Sequence, residues 1–377
     1  MEISAAVVRE EGGAFGIEEV TLDEPRDGEI LVKIAGVGVC HTDLVCRDQY
    51  FPVPLPCVFG HEGAGVVEKV GAGVTQFAPG DHVVLTFSSC CQCPSCMAGK
   101  PGYCDEFYEH NFLGTRTDGS CALRQGDDVV HGHFFAQSSF GTYAVASQCN
   151  AVKVDDSVPL WLLGPLACGV QTGAGAVINA LQPRAGSSIA VFGAGTVGLS
   201  AVMAARLCGC ASIIVADPIE SRRSLAMELG ATHVVDPASE DPVEAVHKIT
   251  NGGALYSLEC TGLPAVVRQA VECLALTGMC GVMGVSRVGT EITLDMNSIL
   301  FGRGLRGIIE GDSVPQEFIP RLIELYRQGR FPFDKLITAF DFEQIQDAVE
   351  ASEAGRVVKA VLKMPGCLPA AFVHHDT

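Results

Sequence analysis

The chain has 377 residues and is 48% hydrophobic, so it is long enough for two domains with substantial cores. Its formal net charge of −19, from 25 Lys and Arg against 44 Asp and Glu, would repel a phosphate backbone and argues against nucleic-acid binding. The N-terminal segment MEISAAVVREEGG is charged and has no apolar signal stretch, and the apolar run 189–205 is shorter than the ~20 residues that cross a bilayer. We therefore expect a cytoplasmic protein that is not inserted in a membrane.

The first 155 or so residues predict short strands. Alternating runs such as ILVKIAGVGV, GAGVVEKVG and DHVVLTF are separated by Gly and Pro turns, which is typical of half-buried β-strands. Residues 105–150 are rich in loops. This part of the chain is expected to form a mostly-β domain.

Strands that alternate with helices are predicted from about Gly169 onward. The runs SIAVF, SIIVA, THVV and LYSLE are followed by predicted helices over 196–208, 220–229, 242–249 and 264–275. Two more runs, GMCGVMGV and LRGIIEG, complete six strands, which predicts a doubly wound parallel sheet in an α/β fold. Two amphipathic helices are predicted beyond it, over 314–329 and 342–355, and the last ten or so residues form a predicted loose tail.

The segment GAGTVG follows the first predicted strand of that sheet and opens a helix. In this G-x-G-x-x-G pattern, Gly193 makes a tight turn, Gly195 lets the backbone approach a pyrophosphate, and Gly198 allows close helix–strand packing. Asp217 ends the next strand, where a carboxylate accepts hydrogen bonds from ribose hydroxyls and repels a 2′-phosphate. The motif therefore predicts NAD as cofactor. A glycine-rich packing turn beside an ordinary Asp is the alternative.

Five cysteines lie in the polar loop CCQCPSCMAGKPGYC, residues 90–104, which could be a disulfide staple, a metal site or a redox site. A long chain with seventeen cysteines in a reducing compartment is not expected to depend on disulfides. Four of the loop cysteines have the spacing C-x2-C-x2-C-x7-C, which suits a closed tetrahedral zinc site, although an iron–sulfur cluster also uses four thiolates. These four are Cys90, Cys93, Cys96 and Cys104. Cys91 is the spare thiol.

A second set of metal-binding residue types is spread along the chain. Cys40 lies in GVCHTD, His61 and Glu62 lie in GHEGAG, and Cys168 lies in LACGVQTG. Each taken alone is more often an ordinary residue, but His61 lies between glycines, where core packing is not expected. Two thiolates and one imidazole would leave a fourth zinc position open for water or substrate.

Together these motifs resemble the zinc-containing medium-chain alcohol dehydrogenases. The resemblance covers residues 1 to about 365 and rests on GHEGAGVVEKVG, the four-cysteine loop and GAGTVG in that order. The stretches CHTDLVCRDQYFPVPLP and FFAQSSFGTYA, with QTGAGAV and RQGRFPFDKLI, are similar to those of bacterial aryl- and benzyl-alcohol dehydrogenases, and allylic, geraniol-type enzymes share much of this text. The family implies a GroES-like catalytic domain in 1–169 and a Rossmann NAD domain in 170–311. Residues 312–377 return to the catalytic domain and end in the tail.

The resemblance also implies roles for individual residues. Cys40, His61 and Cys168 correspond to the ligands of a catalytic zinc, and the four loop cysteines to those of a structural zinc. Asp43 resembles the carboxylate that orients the histidine ligand, Glu62 the acid behind the metal, and Thr42 the hydroxyl that takes the alcohol proton. The implied cofactor contacts, besides the three glycines and Asp217, are His41, Thr172, Arg222 and Lys359.

Val45 is a departure from the family, because many members carry a histidine there that ends the proton relay. The relay is expected to end on cofactor ribose and water instead. Three loop histidines, which the sequence predicts to be solvated, are not singled out as replacements. These are His110, His131 and His133.

The expected function is oxidation of benzyl-type primary alcohols to aldehydes with NAD and two zinc ions per chain, with an allylic, geraniol-type substrate as the alternative. The expected partners are this small-molecule substrate and further copies of the chain in a homodimer or homotetramer. Phe87, Phe140 and Ile309 are expected walls of the substrate pocket.

Three other classes of protein explain less of the sequence. A zinc-finger module leaves GAGTVG and Asp217 unexplained, and a non-catalytic dinucleotide sensor would lack one of Cys40, His61 and Cys168. A zinc-free quinone reductase of the same superfamily would lack both cysteine sets.

Overall fold

The computed structural model describes residues 1–366 and arranges them in three β-sheets. The predicted loose tail falls mainly on 367–377, outside the described residues. The α/β class is confirmed, since one sheet is wholly parallel and the other two belong to a mostly-β unit.

The N-terminal part is built mainly from strands, as its alternating runs predict. Its elements are β1 (Glu2–Val8), β2 (Gly16–Leu22), β3 (Glu29–Gly38), α1 (His41–Arg47), β4 (Cys57–Val58), β5 (Gly63–Val70), β6 (His82–Leu85), α2 (Pro94–Met97), α3 (Phe107–Asn111), β7 (Leu123–Gln125), β8 (Asp128–Val130), β9 (Tyr143–Ser147) and β10 (Ala151–Val154). One sheet has the order β4-β1-β2-β7-β8, and β10, β6, β5 and β3 form consecutive strands of a second.

The middle part contains the parallel sheet. Its elements are α4 (Gly169–Gly175), β11 (Ser188–Phe192), α5 (Thr196–Leu207), β12 (Ser212–Ala216), α6 (Glu220–Leu229), β13 (His233–Val235), α7 (Pro242–Thr250), β14 (Ala254–Glu259), α8 (Pro264–Glu272), β15 (Leu274–Val282), α9 (Met296–Leu300) and β16 (Gly304–Gly307). The order β13-β12-β11-β14-β15-β16 confirms the predicted six-stranded doubly wound sheet. The strand order reverses between β11 and β14, and such a reversal creates a crevice at the carboxyl ends of the strands.

The predicted helix over 264–275 ends earlier than expected. α8 stops at Glu272 because Leu274 already pairs with Ala254 of β14, so β15 begins four residues before the run GMCGVMGV. Both paired residues are fully buried. Sheet pairing therefore overrides the local helical pattern at this point.

The last part of the described chain returns to the N-terminal sheet. Its elements are α10 (Pro315–Arg327), β17 (Ile337–Asp341), α11 (Ile345–Glu353) and β18 (Lys359–Lys363). β18 pairs antiparallel with β3 and parallel with β17, which completes the order β10-β6-β5-β3-β18-β17, with β9 also paired to β3. This return brings Lys359 against residues that precede it by about 300 positions.

One buried cluster connects the two architectural halves. It contains Val84 of β6, Leu166 and Val170 around the start of α4, and Ile189 of β11. The N-terminal sheet is thereby packed against the segment that carries Cys168. Among residues 1–366, the helices are too short or too polar to cross a membrane.

Candidate metal and cofactor site

Four side chains with metal-binding atoms converge where the N-terminal sheet meets α4. Cys40 precedes α1, His61 and Glu62 precede β5, and Cys168 precedes α4. One ligand atom from each lies within 4.8 Å of the corresponding atoms of the other three. The fold thus brings together three loops that are far apart in sequence.

Asp43 fixes the orientation of the His61 ring. His61 Nδ1 lies 2.8 Å from Asp43 Oδ1, and both side chains are fully buried. Asp43 also accepts hydrogen bonds from the backbone N–H groups of Cys40 (2.9 Å) and Gly60 (3.1 Å). The imidazole therefore presents Nε2 away from Asp43, and this buried nitrogen has no hydrogen-bond partner among the described residues.

Glu62 and Lys359 form a second buried ion pair beside the same site. Lys359 Nζ donates to both carboxylate oxygens of Glu62 at 2.9 Å and to the carbonyl of Val39 at 3.0 Å. Glu62 also accepts from the backbone N–H of Gly169 at 3.1 Å. Lys359 is only 3% exposed and its ammonium is engaged with Glu62, while the cofactor contact that the resemblance implies stays a prediction. The ammonium needs this carboxylate because an unpaired buried charge is costly.

The buried charges shift one another's protonation. The thiol of Cys168, together with Lys359 and His61, holds the pKa of Cys40 well below its usual value against the effect of burial. Burial alone would lower the pKa of His61, but Asp43 and Cys40 raise it well above its usual value. Burial raises the pKa of Glu62 to about 7, although Lys359 opposes this. The site therefore favours a thiolate at Cys40.

The donor chemistry of this group fits zinc. Two thiols, an unpartnered imidazole nitrogen and a convergent arrangement are what a catalytic zinc site uses, with one position left for water or substrate. Cys40, His61 and Cys168 would hold the ion, and Asp43 supplies the carboxylate contact that zinc-binding histidines usually have.

The four loop cysteines also come together. Their sulfur atoms lie within 4.8 Å of one another, and they are Cys90, Cys93, Cys96 and Cys104. The sulfurs of Cys90 and Cys96 are 4.0 Å apart, close to the ~3.8 Å that a tetrahedron of 2.3 Å zinc–sulfur bonds requires. Cys91 is exposed, with a left-handed φ of 60°, and its sulfur lies 3.7 Å from Ser89 Oγ, outside the four-sulfur group.

The glycine motif has the backbone geometry that its sequence predicts. Gly193 has a left-handed φ of 94° at the end of β11, and Gly195 is the N-cap of α5. A Cβ on Gly198 would lie 1.9 Å from the carbonyl oxygen of Gly193, so this position requires glycine. A Cβ on Gly195 would meet no atom within 4 Å, which leaves open space at the N-terminus of the helix. Such a helix start suits a pyrophosphate.

Asp217 is hydrogen-bonded to the backbone of this glycine motif. Its carboxylate accepts hydrogen bonds from the backbone N–H groups of Ala194 (2.7 Å) and Ile219 (2.8 Å), and it is 4% exposed. Arg222 on α6 donates to the carbonyl of Val357 at 3.3 Å. His41 is exposed at the first turn of α1.

Glu310 is a site residue that the sequence reasoning missed. Its carboxylate lies 3.2 Å from Gln171 Nε2 and 3.4 Å from the hydroxyl of Thr172, the residue expected behind the nicotinamide. Burial raises the pKa of Glu310 to about 7. The sequence does contain a signal for this residue: Glu310 directly follows the predicted strand run LRGII. Ligands bind at the carboxyl ends of parallel strands, so an acidic residue at this point is a candidate site residue.

Phe135 is a second missed residue. Its ring stacks on the His61 imidazole with centroids 4.5 Å apart, whereas Phe140, an expected pocket wall, is wholly buried and packs edge-on against Phe15 in the core. Of the other expected walls, Phe87 is 3% exposed and packs near Phe107, and Ile309 is 41% exposed. The prediction for Phe140 is therefore wrong: the aromatic residue at the metal site lies five positions earlier.

Comparisons with known proteins agree with this geometry. The family model described as "Alcohol dehydrogenase GroES-like domain" matches residues 26–156, and the one described as "Zinc-binding dehydrogenase" matches residues 196–328. A geraniol dehydrogenase of Castellaniella defragrans is 50% identical over 361 residues, which cover 95% of this chain and 96% of the relative. The chain belongs to the zinc-containing medium-chain alcohol dehydrogenases.

Two solved structures of the family are similar over almost the whole chain. A benzyl alcohol dehydrogenase from Acinetobacter calcoaceticus is 46% identical with a TM-score of 0.94, and covers 97% of this chain with 99% of its own. An alcohol dehydrogenase zinc-binding domain protein from Burkholderia ambifaria is 52% identical with a TM-score of 0.95 and the same coverage. The GroES-like and Rossmann architecture of this alcohol dehydrogenase is thus confirmed.

Val45 occupies the position of the family's relay histidine in this alcohol dehydrogenase. Val45 is 5% exposed and cannot carry a proton. The three loop histidines are partly buried and have polar neighbours: His110 lies 3.3 Å from Glu106, His131 lies 3.3 Å from the carbonyl of Gly114, and His133 lies 3.6 Å from Glu29.

Two glycine variants should separate folding from cofactor binding. Gly198→Ala should lower the free energy of unfolding by about 1–3 kcal/mol, because its methyl group would overlap the Gly193 carbonyl. Gly195→Ala should leave the melting temperature unchanged but weaken NADH binding at least about tenfold, since the methyl would occupy space next to the pyrophosphate. Thermal unfolding and NADH fluorescence titration measure the two effects, and equal melting temperatures for the variants would contradict the assignment.

Proposed function

We propose that this zinc alcohol dehydrogenase oxidises primary alcohols with an aromatic, benzyl-type side chain to aldehydes, with NAD as the acceptor. The observation that carries the proposal is a row of aromatic rings that extends from the His61 ligand toward the surface. Allylic, geraniol-type alcohols are the second candidate.

The aromatic row, which we define as Phe135, Phe112, Phe51 and Tyr108, begins at the metal site. Phe135 stacks on His61, Phe112 lies 5.1 Å from Phe135, and Phe51 lies 4.6 Å from Phe112 between ring centroids. Tyr108 stacks on Phe112 at 5.6 Å and is 42% exposed. Rings in this arrangement favour a flat, apolar substrate over a small polar one.

The names of the relatives support both candidates. The Acinetobacter calcoaceticus structure is that of a benzyl alcohol dehydrogenase, and the Castellaniella defragrans relative is a geraniol dehydrogenase. Both alcohols carry the hydroxymethyl group next to an unsaturated carbon. The aromatic row favours the benzyl-type ring, because ring–ring contacts contribute beyond apolar area alone.

The overall reaction converts a primary alcohol and NAD⁺ into an aldehyde, NADH and a proton. Cys40, His61 and Cys168 would hold a zinc ion, which would supply Lewis acidity that favours loss of the alcohol proton. The Thr42 hydroxyl, which lies 3.9 Å from the Cys40 sulfur, would accept that proton, and Val45 has no group that could pass it on. Asp43 keeps the imidazole of His61 in the orientation that faces the donor set.

We expect the enzyme to prefer NAD over NADP by at least about 30-fold in kcat/KM, because the Asp217 carboxylate would repel a 2′-phosphate by a few kcal/mol. Asp217→Gly should bring the two cofactors closer together. Initial rates with each cofactor measure the preference, and thermal unfolding shows whether loss of the contact with Ala194 also perturbs the fold. Comparable kcat/KM values with NAD and NADP in the native enzyme would rule out the proposed cofactor.

Benzyl alcohol should exceed ethanol in kcat/KM by at least about tenfold, since each buried apolar increment contributes ~1–3 kcal/mol. Phe135→Ala should remove most of this advantage and leave ethanol, the internal control, nearly unchanged. Phe112→Ala should affect geraniol more than benzyl alcohol, because it lies one ring further from His61. Equal turnover of ethanol and benzyl alcohol by the native enzyme would exclude an aromatic substrate.

We also propose that the enzyme is a homo-oligomer, a dimer or a tetramer, that pairs through β16. Among the described residues β16 pairs only with β15, and exposed apolar residues lie beside it, including Leu300 (75% exposed) and Phe301 (60% exposed). An open strand edge with apolar neighbours favours pairing with a second copy. Light scattering should report at least a dimer, and Phe301→Lys should shift the mass toward the monomer. A native monomer would contradict the proposal.

A further inference from the structure

The loop 307–313 is docked closely onto the helix that follows Cys168. Glu310 in this loop holds Gln171 and Thr172 through its carboxylate, and Ser313 donates to the side-chain oxygen of Gln171 at 3.0 Å. The backbones touch as well: a Cβ on Gly175 would lie 2.3 Å from the carbonyl oxygen of Gly311. The position of this loop therefore determines where Glu310 and Thr172 lie in the cofactor cleft.

The other side of the same loop contacts the four-cysteine lobe, residues 90–104. The hydroxyl of Tyr103 lies 2.6 Å from Asp312 Oδ1 and 3.3 Å from the carbonyl of Gly307. A Cβ on Gly102 would lie 3.2 Å from the carbonyl oxygen of Ile309. Tyr103 immediately precedes Cys104, one of the four sulfur donors, so its backbone is placed by the lobe.

We propose that Tyr103 and Asp312 form a positioning contact through which the folded four-cysteine lobe holds the loop 307–313, and with it Glu310, against Thr172 in the cofactor cleft. The lobe then has two roles: it stabilises the fold through its metal, and it sets the geometry of the nicotinamide end of the cofactor site. Tyr103 and Glu310 are positioning residues, since both act on the cleft through Thr172.

The neighbours of the Asp312 carboxylate fix its contact with Tyr103. Asp312 also pairs with Arg306, so its carboxylate is held between a guanidinium and the Tyr103 hydroxyl. Asp312, whose Oδ1 faces Tyr103, and Glu310 both have a left-handed φ of 49°. Such backbone conformations persist only where the surrounding structure holds them. Removal of the hydroxyl should therefore release the loop.

The experiment compares Tyr103→Phe and Asp312→Asn with the control Tyr326→Phe. Tyr326 lies on α10, outside the loop, where its ring packs against Phe333. Three properties are measured: amide hydrogen exchange in peptides covering 307–313 and 169–175, zinc per chain, and the Kd of NADH by fluorescence titration. Only the last readout rests on the proposed NAD function.

Both loop-contact variants should retain native zinc content and show exchange in 307–313 faster by about three- to tenfold, the effect of losing one hydrogen bond. The Kd of NADH should rise by a similar factor. The control should match the native enzyme. Native exchange rates in both variants would overturn the proposal, as would loss of zinc, which would show that the contact supports the lobe and not the loop. Faster exchange with no NADH binding even in the native enzyme would count against the NAD function alone.

Discussion

The whole arrangement depends on keeping several charged groups buried at one point between the two halves of the chain. Two thiols, an imidazole and a carboxylate converge there, and each would be costly to bury without a partner. Asp43 lies 2.8 Å from the His61 ring and Lys359 lies 2.9 Å from Glu62, so both of these buried carboxylates have a close partner. Removing one partner of such a pair typically destabilises a protein by about 3–5 kcal/mol.

This requirement explains why the chain returns to the sheet that contains β3. Lys359 begins β18, the strand that inserts between β3 and β17, and no nearer segment supplies a cation to Glu62 in the described structure. Strand β18 therefore contributes a residue, Lys359, to the candidate metal site. The same logic extends to the cleft, where Glu310 reaches Thr172 from a loop more than 130 residues later in the chain.

Features that depend on local spacing could be predicted from the sequence. The glycines of GAGTVG have their roles within a six-residue turn, the four loop cysteines lie within fifteen residues, and Asp217 follows directly from the next strand. Features that depend on packing between distant parts of the chain could not be predicted in this way. Phe135 and Phe140 are both aromatic residues of one loop, and the spacing of the sequence does not indicate which of the two rings stacks on His61. Lys359 was assigned to the cofactor from the family resemblance alone, and local spacing gives no sign of its ion pair with Glu62, which lies almost 300 residues earlier.

We infer that six of the chain's thiols form two separate metal sites, a closed structural site of four cysteines and a catalytic site that distant loops build around His61. Zinc content per chain, measured by atomic spectroscopy, tests it most directly. We expect two zinc ions in the native enzyme, one in Cys93→Ser with a lowered melting temperature, and one in Cys168→Ser with the fold retained and turnover lost. Cys91→Ser should keep both ions, because its sulfur lies outside the four-sulfur group. Two zinc ions and full stability in Cys93→Ser, or loss of an ion from Cys91→Ser, would contradict the assignment of the four loop cysteines to a structural zinc.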